Sequence, residues 1–271
     1  MMRNYFLGIC LLALTFMRGD FLMAQKMPQE ADKVYKDMSQ AILNRDIKLL
    51  EDIMSKGGFI ELRNRALSIG VKFPEEVFDM LNSSLLDFNK LTFIKYSKRG
   101  VTVNAYYTYA ENGTVSSIIT LRMVEEDKKL KLVSLVNHDA KDYVVNLYQK
   151  DYSFLDQPEY QPTGVVPATP EPIESIDYLA KFDLYCYGYI VSLNINSRMQ
   201  VENVTNGLSG TVIGGIKKGE NTIEMTLKKI DLDEKEKPFI AVRAYINGEE
   251  KEVFYLNEEV EGIVERTFRV E

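Results

Sequence analysis

The stretch Gln157–Pro172 (QPEYQPTGVVPATPEP) constrains this chain more than any other. It holds Pro158, Pro162, Pro167, Pro170 and Pro172, five of the eight prolines. Proline fixes φ and lacks the N–H that a helix or a sheet ladder needs, so neither element passes through such a run. The run reads as an extended, semi-rigid spacer, and the chain must fold on either side of it. At 271 residues, two domains are the expectation. The boundaries read as 1–24 for an export signal, 26–156 for a first domain, 157–172 for the linker and 173–271 for a second domain.

Charge is divided unevenly between the two sides. Residues 26–156 carry 19 Lys+Arg and 19 Asp+Glu, whereas residues 173–271 carry 12 and 18, a net charge of −6. A basic stripe is missing from the sequence, which argues against nucleic acid and against an anionic membrane surface as the main partner. The beginning of the chain reads as an export signal. Arg3 supplies the positive region, Tyr5–Phe16 (YFLGICLLALTF) is an apolar run of 12, and Ala24 offers a cleavage site. The run is too short to span a bilayer, so no transmembrane span is expected after cleavage, and the protein is expected in the periplasm, on the envelope or outside the cell. Cys10 follows Ile9 inside the apolar run and lacks the small preceding residue of an acylated cysteine. Cleavage leaves Cys186 alone, which excludes an intramolecular disulfide. In the strand-like DLYCYGYIV it reads as a small core residue.

In the first domain Ala31, Val34, Tyr35, Met38 and Ile42 fall on one face of a helix over about 28–43. Asn44-Arg45-Asp46 breaks it. Ile47, Leu50, Ile53 and Met54 mark a second short helix, which Gly57-Gly58 is expected to close. Residues 59–70 are compatible with helix, and Pro74-Glu75-Glu76 opens another carrying Val77, Phe78 and Leu81. From Leu91 the period becomes two. Strands are expected at about 90–98, 100–110, 114–125 and 129–137, with Asn112-Gly113 marking a tight hairpin. Helices followed by an antiparallel meander make this domain α+β. Residues 140–156 are aromatic-rich and are expected to run back over it.

The order of elements, the junction Asn44–Leu50 (NRDIKLL) and the strand Asp127–Val133 (DKKLKLV) resemble the nuclear-transport-factor-2-like (cystatin-like) superfamily over about residues 28–140. Leu130 stands where that closing strand usually has Trp. The resemblance implies a cone-like curved sheet enclosing a pocket for a small apolar ligand or a partner segment, and homodimer pairing through the open sheet face. It also admits isomerase or dehydratase chemistry. The weak catalytic candidate is His138, the sole histidine, placed just past the last strand and read first as an exposed loop residue. Asp139 adjoins it, but neighbours on an extended chain point to opposite sides. Tyr107 and Tyr109 share a strand face with Val101, Val103 and Ala105, which is expected to be buried. They are ligand-binding candidates if the cone is open and core residues if it is filled. Carboxylates are missing from the middle of strands 91–121, which argues against acid–base work, although a helix can supply the acid.

Beyond the linker the pattern is almost all strand: 180–196, 208–216, 220–230, 238–247, 250–257 and 262–270, with a short one near 199–204. Gly188 predicts a bend in the first run, and Asn247-Gly248 a tight hairpin. Short strands at regular spacing indicate a β-sandwich. Ile216–Ile223 (IKKGENTI) and Val191–Asn196 (VSLNIN) resemble turns and strands of galactose-binding-like and Ig-like accessory sandwiches of secreted proteins, with Ser197 where glycine is usual. Gly219 supplies the permissive backbone there, and Asn221 can hydrogen-bond the turn. Tyr185, Tyr187 and Tyr189 alternate and would form a sugar platform if exposed, or core if not. The acidic loop 231–236 fits no EF-hand, so no metal and no cofactor are expected. These features describe an exported, non-enzymatic binding or scaffold protein whose partner is a small apolar ligand, a glycan or an envelope protein. The alternatives are a carbohydrate-binding accessory protein and an enzyme of the isomerase/dehydratase type.

Overall fold

The computed structural model describes residues 28–111, 113–158, 160–230 and 237–271. The export segment, Asn112 and the loop 231–236 lie outside the described residues. The chain divides into two compact units. One takes in Met1–Phe59 and Phe78–Pro170, the other Ile60–Val77 and Glu171–Glu271. A helix-plus-sheet region is followed by an all-β region, with three antiparallel four-stranded sheets. Among the described residues no helix is long and apolar enough to cross a membrane.

The first unit opens with α1 (28–43), whose expected apolar face is buried throughout, from Ala31 and Tyr35 to Ile42. Arg45 takes a left-handed φ of 55°. Asp46 then caps α2 (Ile47–Ile53) by accepting the Lys48 and Leu49 amides at 3.1 and 3.0 Å, which is why the junction breaks at that carboxylate. Gly57 and Gly58 do not close a helix. They sit in the first turn of α3 (Lys56–Ser68), with Ser55 Oγ accepting the Gly58 amide at 3.1 Å. A Cβ at Gly58 would lie 2.6 Å from the Val133 carbonyl oxygen. The pair therefore serves close approach to a strand, a use that a helix-stop reading misses. The next helix, α4, starts at Val77 (Val77–Ser83), after a turn that contains Pro74.

Strands β1 (Leu91–Arg99), β2 (Thr102–Glu111), β3 (Thr114–Glu126) and β4 (Lys129–Asp139) form a meander in sequence order. These bounds follow the sequence expectation closely, except that β4 continues through His138. Alternation fails in β2, where every residue from Thr102 to Tyr107 is buried. On one side, Tyr107 packs toward α1 and its hydroxyl donates to Asp32 at 2.8 Å. On the other side, Tyr106 and Ile118 are covered by the returning chain. Ala140, Leu147 of α5 (Val144–Tyr148), Phe154, Leu155 and Tyr160 complete that cluster. A sheet buried on both faces loses its polar phase.

Part of the proline-rich stretch belongs to this cluster. As expected, its described residues form neither helix nor strand. They are not a free spacer, however. Tyr160 and Pro162 are buried, and the Tyr160 carbonyl accepts from Asn104 Nδ2 at 2.7 Å and from the Tyr106 hydroxyl. The Gly164 amide donates to Thr102 Oγ1 at 2.9 Å. Sheet side chains thus supply the partners that proline-broken backbone cannot find in a ladder.

The second unit recruits residues that the sequence reading places in the first domain. Within it, Asn64 Nδ2 donates to the Glu171 carbonyl and Asn64 Oδ1 accepts the Ile173 amide, both at 2.9 Å. Ser68 Oγ accepts the Gly214 amide at 2.9 Å. Asn64 and Ser68 are each 1% exposed. Two polar side chains of α3 are thus consumed in satisfying loop backbone.

Among the described residues, the strands of this unit are β5 (Ala180–Tyr187), β6 (Tyr189–Ile195), β7 (Arg198–Val204), β8 (Leu208–Thr211), β9 (Gly219–Lys229), β10 (Phe239–Ile246), β11 (Glu249–Leu256) and β12 (Gly262–Val270). They pair as β11-β10-β5-β8 and β12-β9-β6-β7. Alternate residues of both sheets enter one core, among them Phe182, Leu184 and Cys186 of β5, Val191 and Leu193 of β6, Met225 of β9 and Val242 of β10. Each such side chain contributes roughly 1.5–3 kcal/mol of burial. The Asn221 side chain accepts the Lys217 amide and donates to the Lys217 carbonyl, both at 2.8 Å, and so ties the turn as expected.

Candidate ligand-binding face

The run 180–195 is one continuous strand pattern in sequence but serves two sheets. Gly188, at φ 79°, breaks it. Before the break, Ala180, Phe182, Leu184 and Cys186 point into the core, so Lys181, Asp183, Tyr185 and Tyr187 take the outer face. After it, the phase restarts in the other sheet with Tyr189 buried. The expected row of three tyrosines is therefore two. Tyr185 and Tyr187 are 41% and 38% exposed, while Tyr189 is core, its hydroxyl donating to the Glu258 carbonyl at 3.1 Å. Cys186 is buried as expected, and burial pushes its thiol pKa up.

Strand register supplies the neighbours of those two tyrosines. Tyr187 lies opposite Phe239, Tyr185 opposite Ala241 and Asp183 opposite Arg243. Across the other edge of β10, Ala241 faces Tyr255 and Arg243 faces Glu252. The β10–β11 register shifts between Val242 and Arg243, so β11 carries one additional residue there. Val253 and Phe254 both turn to the core, and the bulge brings Glu252 and Tyr255 to the same outer face. Without it, strict alternation would place one of the two inside.

The result is an open groove of about 420 Å³ lined by Tyr185, Phe239, Ala241, Arg243, Glu252 and Tyr255. Ala241 is its floor: a small side chain with a tyrosine one strand away on each side. Tyr255 is 55% and Phe239 40% exposed. Tyr187 stacks on Phe239 with ring centres 6.2 Å apart. The Arg243 guanidinium lies 5.5 Å from the centre of the Tyr185 ring and 3.3 Å from Glu250 Oε1. Asp183 accepts from the Tyr245 hydroxyl at 2.8 Å. Hydrogen bonds from Ser209 and Tyr245 hold its carboxyl below the usual carboxylate range, so it stays ionised and anchors the rung beneath Arg243.

The first-unit candidates do not converge on a comparable surface. Tyr107 is 1% exposed, packed edge-on to Phe93 at 5.5 Å and bonded to Asp32. Burial first, and then the Asp32 bond, pushes its pKa far up. It fills the sheet–helix layer. Tyr109 is half-buried, with Lys90 Nζ 5.9 Å from its ring centre. His138 is not a loop residue. It sits in β4 opposite Ile118, half-buried, with its ring 5.3 Å from that of Tyr160. Burial, and secondarily Arg122, lowers its pKa. Asp139 turns away to accept the Lys141 amide at 3.0 Å.

Sequence reading named Tyr185 and Tyr187 but missed Phe239, Ala241, Arg243, Glu252 and Tyr255. One signal was present. In Phe239–Ile246 (FIAVRAYI) the core phase is Ile240, Val242, Ala244 and Ile246, which leaves the large aromatics Phe239 and Tyr245 on the solvent phase. The bulge that re-aims Tyr255 leaves no mark in the sequence. The chain was compared with family models, curated proteins and solved structures, and none matches it.

Proposed function

We propose that this chain is an exported, non-enzymatic binding protein and that it binds through the outer face of β5, β10 and β11. The first unit is read as a cone-like, nuclear-transport-factor-2-like scaffold, the second as an accessory β-sandwich. The observation that carries the reading is the cluster of four aromatic residues at 38–55% exposure, Tyr187, Phe239, Tyr185 and Tyr255, around a groove on one sheet face. An exposed apolar patch rimmed by polar groups marks a contact surface. The alternative placement of the ligand, inside the first unit, loses support because Tyr107 is packed and hydrogen-bonded. Catalysis there loses support because His138 faces Tyr160 and Asp139 is engaged with Lys141.

Co-sedimentation with the insoluble envelope of the host cell tests the reading. The mature wild type is expected in the pellet, and the Tyr185→Ala/Tyr255→Ala double variant in the supernatant with an unchanged circular-dichroism spectrum. A wild type that stays in the supernatant, or a double variant that pellets equally, refutes it.

A further inference from the structure

We infer that β12, at one edge of the β12-β9-β6-β7 sheet, pairs with β12 of a second copy of this chain. The inference is independent of the binding face, which lies on the other sheet of the unit, and of any pairing through the first unit. The first argument is the open edge. Among the described residues β12 pairs with β9 alone. The Asn196 amide donates to the Thr222 carbonyl at 3.0 Å, so the backbone of Thr222 in β9 faces β6. Backbone groups alternate sides along an antiparallel strand. Asn221, Ile223, Met225 and Leu227 therefore face β12, where they meet Phe268, Arg266, Val264 and Gly262. That leaves Ile263, Glu265, Thr267 and Arg269 with N–H and C=O turned outward, the template that a sheet edge offers to another strand. Exposed side chains meet two of these carbonyls: Lys251 Nζ donates to that of Arg269, and the Arg266 guanidinium lies 3.5 Å from that of Glu265.

The second argument is that the strand is complementary to itself. Val264, Phe268 and Val270 pack toward the core, so Glu265, Thr267 and Arg269 lie on the outer face, exposed. A two-fold axis through Thr267 sets Glu265 against Arg269 of the second copy, and Arg269 against its Glu265. On the inner phase Val264 meets Val270, and the Arg266 guanidinium meets the ring of Phe268. The neighbouring registers fail. Centred on Glu265 or Arg266, the axis sets that charge against itself. Centred on Phe268, it sets Glu265 against Glu271. An axis between two residues sets outward backbone groups against groups already bonded to β9. Like charges directly opposite are unfavourable and opposite charges favourable, so the charge pattern selects one register. Glu265 adds a reason of its own. Within the chain it lies across from Glu224, whose carboxylate accepts from Asn194 at 2.8 Å. An arginine arriving on the free side of Glu265 offsets that like-charge pair.

Sedimentation velocity of the full mature chain over a range of concentrations tests the inference, with circular dichroism to confirm that each variant folds. The wild type is expected to dimerise. Glu265→Arg and Arg269→Glu should each weaken the dimer about tenfold, because each turns both cross-copy pairs into like-charge pairs. The double variant Glu265→Arg/Arg269→Glu restores opposite charges and should bring the dimer back. Under mild oxidation Thr267→Cys should cross-link to its counterpart, since Cα atoms of a hydrogen-bonded antiparallel pair lie about 5.5 Å apart, within disulfide reach. Glu265→Cys, held across from Arg269, should not. A wild type that stays monomeric overturns the inference. So does a dimer that survives the single reversals, a double variant no more dimeric than the singles, or equal cross-linking at 265 and 267.

Discussion

Strands β2 and β5 carry nearly the same message, NAYYTYA in one and DLYCY in the other, and put it to opposite use. Each presents tyrosines on alternate positions of an antiparallel sheet. In β2 both sides are covered: Tyr107 by the α1 layer and Tyr106 by the returning segment that ends in Tyr160. In β5 the inner phase is supplied by Phe182, Leu184 and Cys186, and Tyr185 stays 41% exposed, with no returning segment like that after β4 over it among the described residues. A tyrosine's role is therefore decided by whether the chain spends residues on covering its face. The first unit spends about twenty residues after β4 on such a cover. In the second unit the chain goes straight from β10 through a two-residue turn at Asn247-Gly248 into β11, and among the described residues the face keeps Tyr185, Phe239 and Tyr255 exposed.

The largest effect expected from breaking this comparison is on stability. Tyr106→Ala removes a fully buried ring and a hydrogen bond to the Tyr160 carbonyl, at a cost of about 3–5 kcal/mol in the unfolding of the first unit. Tyr185→Ala on the open face should cost about 0.5 kcal/mol or less. Urea unfolding followed by tryptophan-free near-UV circular dichroism measures both. Equal losses at the two positions would mean that the Tyr185 face is covered in solution, and the contrast would collapse.

A smaller effect comes from the buried hydroxyls. Tyr107→Phe keeps the ring and removes the bond to Asp32, with an expected loss of about 1 kcal/mol. Tyr35, whose hydroxyl donates to the Leu86 carbonyl at 2.8 Å, has its pKa pushed by burial from 10.0 up to about 12. The folded state therefore holds this proton more tightly than the unfolded chain does. The stabilisation is fully present below pH 10 and is lost as pH rises through about 12. Titration at 295 nm should show Tyr35 and Tyr107 ionising only with unfolding. A folded protein in which both ionise near pH 10 would contradict their burial.

How much of this was legible beforehand follows the same physics. Elements set by local periodicity came through. The buried stripe of α1, the four-strand meander, the Gly188 break and the Asn247-Gly248 hairpin are all properties of neighbouring residues. What failed depended on partners distant in sequence. Gly57-Gly58 looked like a helix stop because the close Val133 carbonyl is 75 residues away in the chain. Residues 59–70 gave no sign of the roles of Asn64 and Ser68, because the backbone those side chains satisfy lies in the linker and beyond it. Tyr189 was grouped with Tyr185 and Tyr187 because periodicity does not say which sheet a strand enters after a bend. Two of the six residues that line the candidate face were invisible for one reason: Glu252 and Tyr255 share a side only through a bulge.

The smallest expected effect sharpens the comparison at the edge of the covered sheet. His138 lies on β4 beside Tyr160, and its pKa is lowered from the ordinary 6.5, chiefly by burial and secondarily by Arg122. The unfolded chain therefore binds the proton more readily than the folded one. Stability rises with pH wherever that difference operates, so the contribution is present above pH 6.5 and is lost as pH falls through the lower folded value. His138→Gln should flatten the stability profile of the first unit below pH 6.5 and leave the second unit untouched. Unfolding midpoints in urea between pH 5 and 8 would show it. A wild-type profile already flat across that range would place His138 in solvent, and the cover over this end of the sheet would then be looser than the cover over Tyr106.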